Sequence, residues 1–281
     1  MSKNNKLKKF YNNKKILITG HTGFVGSWLT FMMIKLGAKV YGISKNTIDN
    51  SVNYKVLRLK DYLRGEYFFD IVDFKILNSK IKQIKPNIIF HLAAQPYVME
   101  GYKNPLETIS TNIIGTANLV KSAITNKIKH NVIITSDKVY KNSNKKTFFN
   151  ENSEMGGSDP YSMSKSCAEL VTRSFSESYN TKLFIDTVRA GNIIGGGDFG
   201  KNRLITDIYF AKFKKRKLIL RYPNAIRPWQ NVLDAIHAYS LIPLNQVKRK
   251  KSYDSWNIGP RRYEWKISVK KLVEKFLLSF D

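Results

Sequence analysis

Tyr161 and Lys165 stand four residues apart, the spacing that puts two side chains on one face of a helix. A phenol beside an ammonium is a proton-transfer pair. The cation stabilises the phenolate and lowers the tyrosine pKa, so the tyrosine can take a hydroxyl proton as hydride leaves. Tyr-x-x-x-Lys alone arises often by chance. Here it lies downstream of Ser136 and of a glycine pattern, Thr19-Gly20-His21-Thr22-Gly23-Phe24-Val25-Gly26, which makes chance a poor explanation.

Hydride chemistry needs a dinucleotide, and the glycines are spaced G-x-x-G-x-x-G between an apolar run and a helical pattern. Gly20 permits the tight turn, Gly23 lets the backbone approach a pyrophosphate, and Gly26 lets the helix pack on the strand. The helix N-terminus is then aimed at phosphate. The second strand ends Gly42-Ile43-Ser44-Lys45, with no Asp or Glu to hold the adenosine ribose. Ser44 could bond the ribose and Lys45 could tolerate a 2′-phosphate, so this position alone leaves NAD and NADP both open.

The elements that must position these groups alternate. Strands are expected at 15–19, 38–43, 88–92, 132–135 and 183–188, and helices at 24–36, 76–84, 111–124 and 161–179. Gly37 stops the first helix and Pro86 the second. Such alternation predicts an α/β fold with a Rossmann-type doubly wound parallel sheet. It predicts an NAD-binding domain over residues 1–190 and a smaller, interleaved substrate-binding lobe over 191–281. Residues 46–67 and 142–159 read as irregular. The 281 residues suffice for a full core, and the composition excludes wholesale disorder.

Net charge is +27, from 48 basic and 21 acidic residues. The lysine-rich stretches (6–15, 212–217, 248–251) are short and scattered, and no nucleic-acid-binding pattern accompanies them. They read as a lysine-rich coding bias on solvated faces, so no nucleic-acid partner is expected. A positive field would also steer in a nucleotide-sugar diphosphate. One cysteine, Cys167, and no export signal point to the cytoplasm. No run nears the roughly 18 apolar residues of a membrane helix, and no metal-ligand spacing is present. His21, in the glycine loop, and His91, at a buried strand end, are not expected to be catalysts.

Several further segments carry a resemblance. They are Gly26-Ser27-Trp28-Leu29, His91-Leu92-Ala93-Ala94-Gln95-Pro96, Thr111-Asn112, Thr135-Ser136-Asp137-Lys138, Asp159-Pro160-Tyr161, Ala168-Glu169-Leu170 and Arg227-Pro228-Trp229-Gln230-Asn231-Val232-Leu233-Asp234. With the glycine turn, the chain resembles the extended short-chain dehydrogenase/reductase superfamily and, within it, the CDP-glucose 4,6-dehydratase family. Relatives acting on dTDP-glucose usually show Thr-Asp-Glu where this chain has Ser136-Asp137-Lys138.

The resemblance implies NAD as cofactor and CDP-glucose as the nucleotide-sugar substrate, in deoxysugar supply for lipopolysaccharide O-antigen. Tyr161, with Lys165 and Ser136, would deprotonate the C4 hydroxyl. Asp137 would protonate the departing C6 hydroxyl. Lys138 would act as the C5 base, if burial near other cations depresses its pKa, or as a stabiliser of the enolate. Cofactor contacts would come from Gly20, Thr22, Gly23, Phe24, Val25, Gly26, Ser44, Asp70, Ile71, Leu92, Ala93, Ala94, Gln95 and Asn112, besides Tyr161 and Lys165. Gln95, Asn192, Arg203 and Arg227 would face the substrate. A homodimer through the 111–124 and 161–179 helices is also implied.

Two departures bear on this. Met99-Glu100-Gly101 stands where relatives tend to carry basic residues. The chain stops after one helix, 269–280, where relatives continue, so a C-terminally shortened lobe is expected. It would leave Leu272, Phe276 and Leu277 as an apolar stripe. The competing expectations are a nucleotide-sugar 4-epimerase or reductase, which would not need Asp137-Lys138, and a truncated, inactive cofactor-binding homologue.

Overall fold

In the computed structural model, residues 3–46, 52–141, 148–179, 182–200, 203–261 and 267–279 are described. The elements follow in order: α1 (Lys3–Tyr11), β1 (Lys15–Thr19), α2 (Phe24–Lys35), β2 (Lys39–Ser44), α3 (Val52–Val56), β3 (Gly65–Phe68), α4 (Phe74–Ile84), β4 (Ile88–His91), α5 (Val98–Lys103), α6 (Pro105–Ile109), α7 (Gly115–Thr125) and β5 (His130–Ile134). After these come α8 (Pro160–Ser178), β6 (Phe184–Ala190), β7 (Ile193–Ile194), α9 (Leu204–Lys214), β8 (Gln230–Asn231), α10 (Val232–Gln246), β9 (Tyr253–Ile258) and α11 (Val269–Leu278).

Among the described residues the main sheet has seven strands in the order β3-β2-β1-β4-β5-β6-β9, and every pairing is parallel. The strands are apolar on both faces because helices cover both. Ile16, Ile18, Phe90 and Val132 face the layer of α1, α2 and α10, where Leu7, Tyr11, Leu29, Met33, Ile236 and Tyr239 complete one core. Leu17, Ile89 and Ile133 face the opposite layer, with Leu77 and Ile81 of α4 and Leu119 and Val120 of α7. Each such aliphatic side chain contributes about 1.5–3 kcal/mol by leaving water.

Strand order reverses between β1 and β4, so the chain ends following these strands open a crevice beside the glycine turn. Local signals fix the helices that flank it. Asp159 caps α8 by accepting from Ser162 N (2.9 Å), with Pro160 in the first turn. Asp73 caps α4 (3.0 Å to Ile76 N). That helix ends at Lys85 in a left-handed conformation (φ 50°), one residue before the expected stop at Pro86.

The structure departs from the expected elements in several places. The expected 111–124 helix is preceded by α6 and opens with a π turn at Ser110–Ile114. β3, inside the stretch read as irregular, is a short edge strand with no fully buried residue, hence no apolar run to flag it. Within 191–281, β9 pairs along β6 and α10 packs on the sheet. What remains away from the sheet is the β7–β8 ladder with α9 and α11. On α11 the buried side chain is Val273, while Leu272, Phe276 and Leu277 are half-buried.

Candidate active site

The glycine turn is shaped by contact. Gly20 has φ 74° and packs against the backbone of Leu92 and Ala93, held by Ala93 N donating to Thr19 Oγ1 (3.3 Å). Gly23 precedes α2 in an extended conformation and provides no side-chain cap. A Cβ on Gly23 would meet only the Gly20 carbonyl oxygen, at 3.3 Å. The first N–H groups of α2 are thus left without a side-chain cap, the arrangement that receives a phosphate. Phe24 and Val25, the first helical residues, pack on the core with the α1–α2–α10 layer.

Around the end of β2 the expected ribose contacts are already engaged. Ser44 is buried, bonded to His21 Nδ1 (2.9 Å) and accepting from Thr22 Oγ1 (3.1 Å). His21 Nε2 reaches Glu66 on β3 (2.6 Å), and Tyr54 donates to the same carboxylate oxygen (2.5 Å). The carboxylate missing from the end of β2 thus sits on the neighbouring strand, turned toward His21. Lys45 bonds Asp70 (3.1 Å) and Glu107 (3.0 Å), and both pairings raise its pKa. Ile71 buries its side chain in the core against Gly115, so an adenine contact there would fall to its backbone.

The floor beyond β4 is braced. Gln95 N donates to Asn112 Oδ1 (2.8 Å), while Asn112 Nδ2 donates to the Gln95 carbonyl (3.1 Å) and to Ser164 on α8 (2.9 Å). Asn112 is 1% exposed. The π turn carries it, and it holds the Gln95 loop to α8 rather than offering a free amide. Gln95 itself is pinned, donating to Thr108 (2.8 Å) and accepting from Tyr97 N (2.5 Å).

The reacting groups meet where β5 ends. Tyr161 and Ser136 are both buried. Burial pushes the Tyr161 phenol above its ordinary value, Ser136 and Arg203 draw it down, and Asp137 and Asp159 raise it. This corrects the expectation of a tyrosine lowered by Lys165. The lysine instead donates to the Ile134 carbonyl (3.4 Å), and burial holds it down at about 8, partly offset by Glu169. Ser136 Oγ donates to Asp137 (3.2 Å) and accepts from Lys138 N (3.2 Å). Lys138 Nζ lies 3.5 Å from Asp137 and its side chain is 38% exposed, so it is beside a carboxylate and not buried among cations.

Arg203 faces this centre from the start of α9, over the Tyr97 ring (5.4 Å) and 3.9 Å from Asp198. The β7–β8 ladder joins Ile193 to Gln230, and Gln230 N donates to the Asn192 carbonyl (3.0 Å). Asn192 is thereby brought beside the Arg227–Trp229 segment, whose Pro228 packs on Gly191. Tyr97, Asp198 and Glu66 were not singled out from sequence, because no pattern in the chain links them to the motifs. Glu169, one helical turn after Lys165, had a signal in that spacing. Among the described residues no group of His, Cys, Asp or Glu could hold a metal.

The family of GDP-mannose 4,6 dehydratase matches residues 17–259, from β1 through β9. The chain belongs to that family. The chain is 40% identical over 279 residues to the CDP-glucose 4,6-dehydratase of Salmonella typhimurium, covering 96% of this chain and 77% of that one. It is 28% identical to the UDP-glucose 4-epimerase of Mycoplasma genitalium, covering 87% and 76%. Among solved structures, a dTDP-glucose 4,6-dehydratase double mutant from Streptomyces venezuelae, with NAD bound, superposes with a TM-score of 0.81 at 21% identity, covering 94% of this chain and 80% of that one. A UDP-glucose 4-epimerase from Thermotoga maritima gives 0.79 at 23% identity, covering 95% and 83%. At these identities the two structures speak for the doubly wound fold that the dehydratase family shares with epimerases.

Proposed function

We propose that this chain is an NAD-dependent nucleotide-sugar 4,6-dehydratase acting on CDP-glucose. The observation that carries the reading is the Ser136-Asp137-Lys138 turn set against Tyr161. An acid and a cation beside a phenol that can handle an alcohol proton support elimination coupled to oxidation. The 40% identity to a CDP-glucose 4,6-dehydratase supports the nucleotide and sugar.

The residues present fit a dinucleotide. The uncapped start of α2 and the space left by Gly23 suit a pyrophosphate. Lys45, already paired with Asp70 and Glu107, is engaged where a 2′-phosphate would need it, which favours NAD. Bound there, the dinucleotide would supply a reversible hydride acceptor, so that the overall dehydration is redox-neutral.

Tyr161 would take the C4 hydroxyl proton. Because burial holds its phenol protonated, phenolate formation relies on Ser136 and Arg203, and on Lys165 turning from the Ile134 carbonyl. The C4 ketone acidifies the C5 proton. Asp137 would then take the C5 proton and deliver it to the C6 hydroxyl, which departs as water, and Lys138, paired with Asp137, would stabilise enolate charge. Asn192, Arg203 and Arg227 would bind the diphosphate. We further infer a homodimer through α7 and α8 and a cytoplasmic place of action, where nucleotide sugars are made.

The test is direct. Purified protein is incubated with NAD⁺ and CDP-glucose, and the product is followed by mass and by its absorbance in alkali. Loss of water without net NADH supports the reading. Epimer formation, or turnover of another nucleotide sugar in preference to CDP-glucose, would replace it.

A further inference from the structure

The buried ion pair beneath the reacting groups has no part in the proton transfers above. Glu169 is fully buried on α8. Its Oε1 accepts from Thr135 Oγ1 (2.5 Å). Its Oε2 accepts from Thr187 (2.7 Å), Arg189 Nη2 (2.8 Å) and the Tyr253 hydroxyl (3.3 Å). Arg189 carries the chain of bonds onward, its Nη1 donating to the Tyr140 hydroxyl (2.9 Å) and to the Glu151 carbonyl (2.9 Å). Tyr140 in turn donates to Asn257 Oδ1 (2.5 Å) on β9.

Thr135 immediately precedes the Ser136-Asp137-Lys138 turn and Tyr140 closely follows it. One member of the pair holds the entry to this turn and the other holds its exit. A buried ion pair is weak evidence of stabilisation in itself, because desolvating two charges costs as much as their attraction returns. Here its geometry has a different consequence: the turn that carries the acid is clamped at both ends by the same two side chains.

We propose that Glu169, with Arg189, is a positioning residue for the dehydration, fixing the Ser136-Asp137-Lys138 turn from one helical turn beyond Lys165. This rests on the dehydratase reading for its kinetic consequences. The charged and titratable groups that act on Lys165 are Glu169 on its own helix, itself paired with Arg189 of β6 (2.8 Å), and His91 on β4. Burial keeps His91 neutral, so Glu169 is the fixed charge that opposes loss of the Lys165 proton.

Glu169→Gln keeps shape and one acceptor while removing the charge. The expected result is a fall in kcat of about tenfold or more with KM for the nucleotide sugar little changed. The alkaline limb of the pH profile should also move down by about one unit. Glu169→Asp, which restores the charge, should return the limb toward wild type. Unchanged kcat and pH profile in folded Glu169→Gln, or equal losses in Gln and Asp variants, would overturn the proposal.

If Glu169→Gln does not fold, Thr135→Val and Tyr140→Phe carry the test, since each removes one hydroxyl from one end of the clamp. Their effects on kcat should be non-additive by about threefold or more, and strict additivity refutes a common clamp. If the wild-type protein leaves CDP-glucose unchanged, the dehydratase reading fails by itself. The Lys165 titration then decides the rest. It would be followed by NMR on protein carrying ¹³C-labelled lysine and assigned with Lys165→Arg, and it must shift down in Glu169→Gln for the proposal to stand.

Discussion

Gly26 packs so closely under Gly20 that a Cβ at Gly26 would stand 2.0 Å from the Gly20 carbonyl oxygen. The first turn of α2 is thereby wedged against the end of β1, and two glycines of one motif do separate work. Gly26 serves the fold. Gly23, whose added Cβ would meet a single protein atom at 3.3 Å in an ordinary extended conformation, serves what binds. Gly26→Ala should therefore lower Tm by about 5 °C or more through overpacking. Gly23→Ala should keep Tm near wild type and weaken NAD⁺ about tenfold or more in calorimetry. Wild-type affinity in Gly23→Ala would contradict the assignment of that space to a phosphate.

Lys165 gives a prediction of opposite sign for stability and activity. Its ammonium is buried and held at about 8 against an ordinary 10.5. Between those values the unfolded chain keeps a proton that the folded one has released, so stability rises with pH across the window. The cost of burying the charge is fully present below about pH 8. Lys165→Met removes that cost, about 3 kcal/mol, against loss of one long bond to Ile134. Thermal unfolding at pH 7 should show a Tm several degrees above wild type, with the gap closing toward pH 10, while turnover falls by at least about a hundredfold. A lower Tm at pH 7 would show that the lysine stabilises the fold.

The parts legible in the sequence were those encoded locally. The glycine turn, the Tyr161/Lys165 helix and the strands β1, β4 and β5 each have a pattern within a dozen residues, and the structure places them together. What escaped depends on contacts remote in sequence. Glu66 meets His21 across two strands. The partners of Glu169 come from β5, β6 and β9, so no window of the chain contains them. Spacing shows the cation near Tyr161 but not the burial that dominates the state of its phenol.

His91 predicts the acid limit of stability. Its ring is buried with Thr19 Oγ1 2.7 Å from Nδ1 and Thr116 Oγ1 3.2 Å from Nε2, and burial lowers its pKa from 6.5 to about 3. The folded state thus resists protonation that the unfolded chain accepts. Its contribution is whole above pH 6.5 and is lost progressively as pH falls toward 3, about 5 kcal/mol in all. His91→Gln should lose some stability at neutral pH yet show a flatter decline of Tm between pH 6.5 and 4. An equally steep decline would assign acid unfolding to other groups.

The proposed dimer also has a surface to be judged by. Leu106 (79% exposed), Leu170 (52%), Ile114 (47%) and Tyr179 (46%) are apolar side chains open to solvent on α6, the middle of α8, the π turn and the α8 C-cap. Exposed apolar groups on adjacent elements mark an interaction face. Leu170→Glu should convert a dimer to a monomer in light scattering at micromolar protein, with Tm independent of cofactor site occupancy. A wild-type monomer at that concentration would dismiss the dimer.

Lys138 can be assigned a role by comparing two replacements. In the structure its ammonium is 3.5 Å from Asp137 and 38% exposed, which suits a fixed positive charge near developing enolate better than a deprotonated base. Arginine keeps the charge and cannot release its proton, whereas methionine keeps the length and removes the charge. Lys138→Arg should therefore retain at least about a tenth of wild-type turnover, and Lys138→Met should lose roughly a hundredfold. In Lys138→Met the oxidation at C4 should still proceed through Tyr161, so NADH absorbance should rise transiently, while exchange of the C5 hydrogen with deuterated water slows. Should both variants lose C5 exchange equally, the lysine is the base itself. Should dehydration be unchanged in both, Asp137 acts without it.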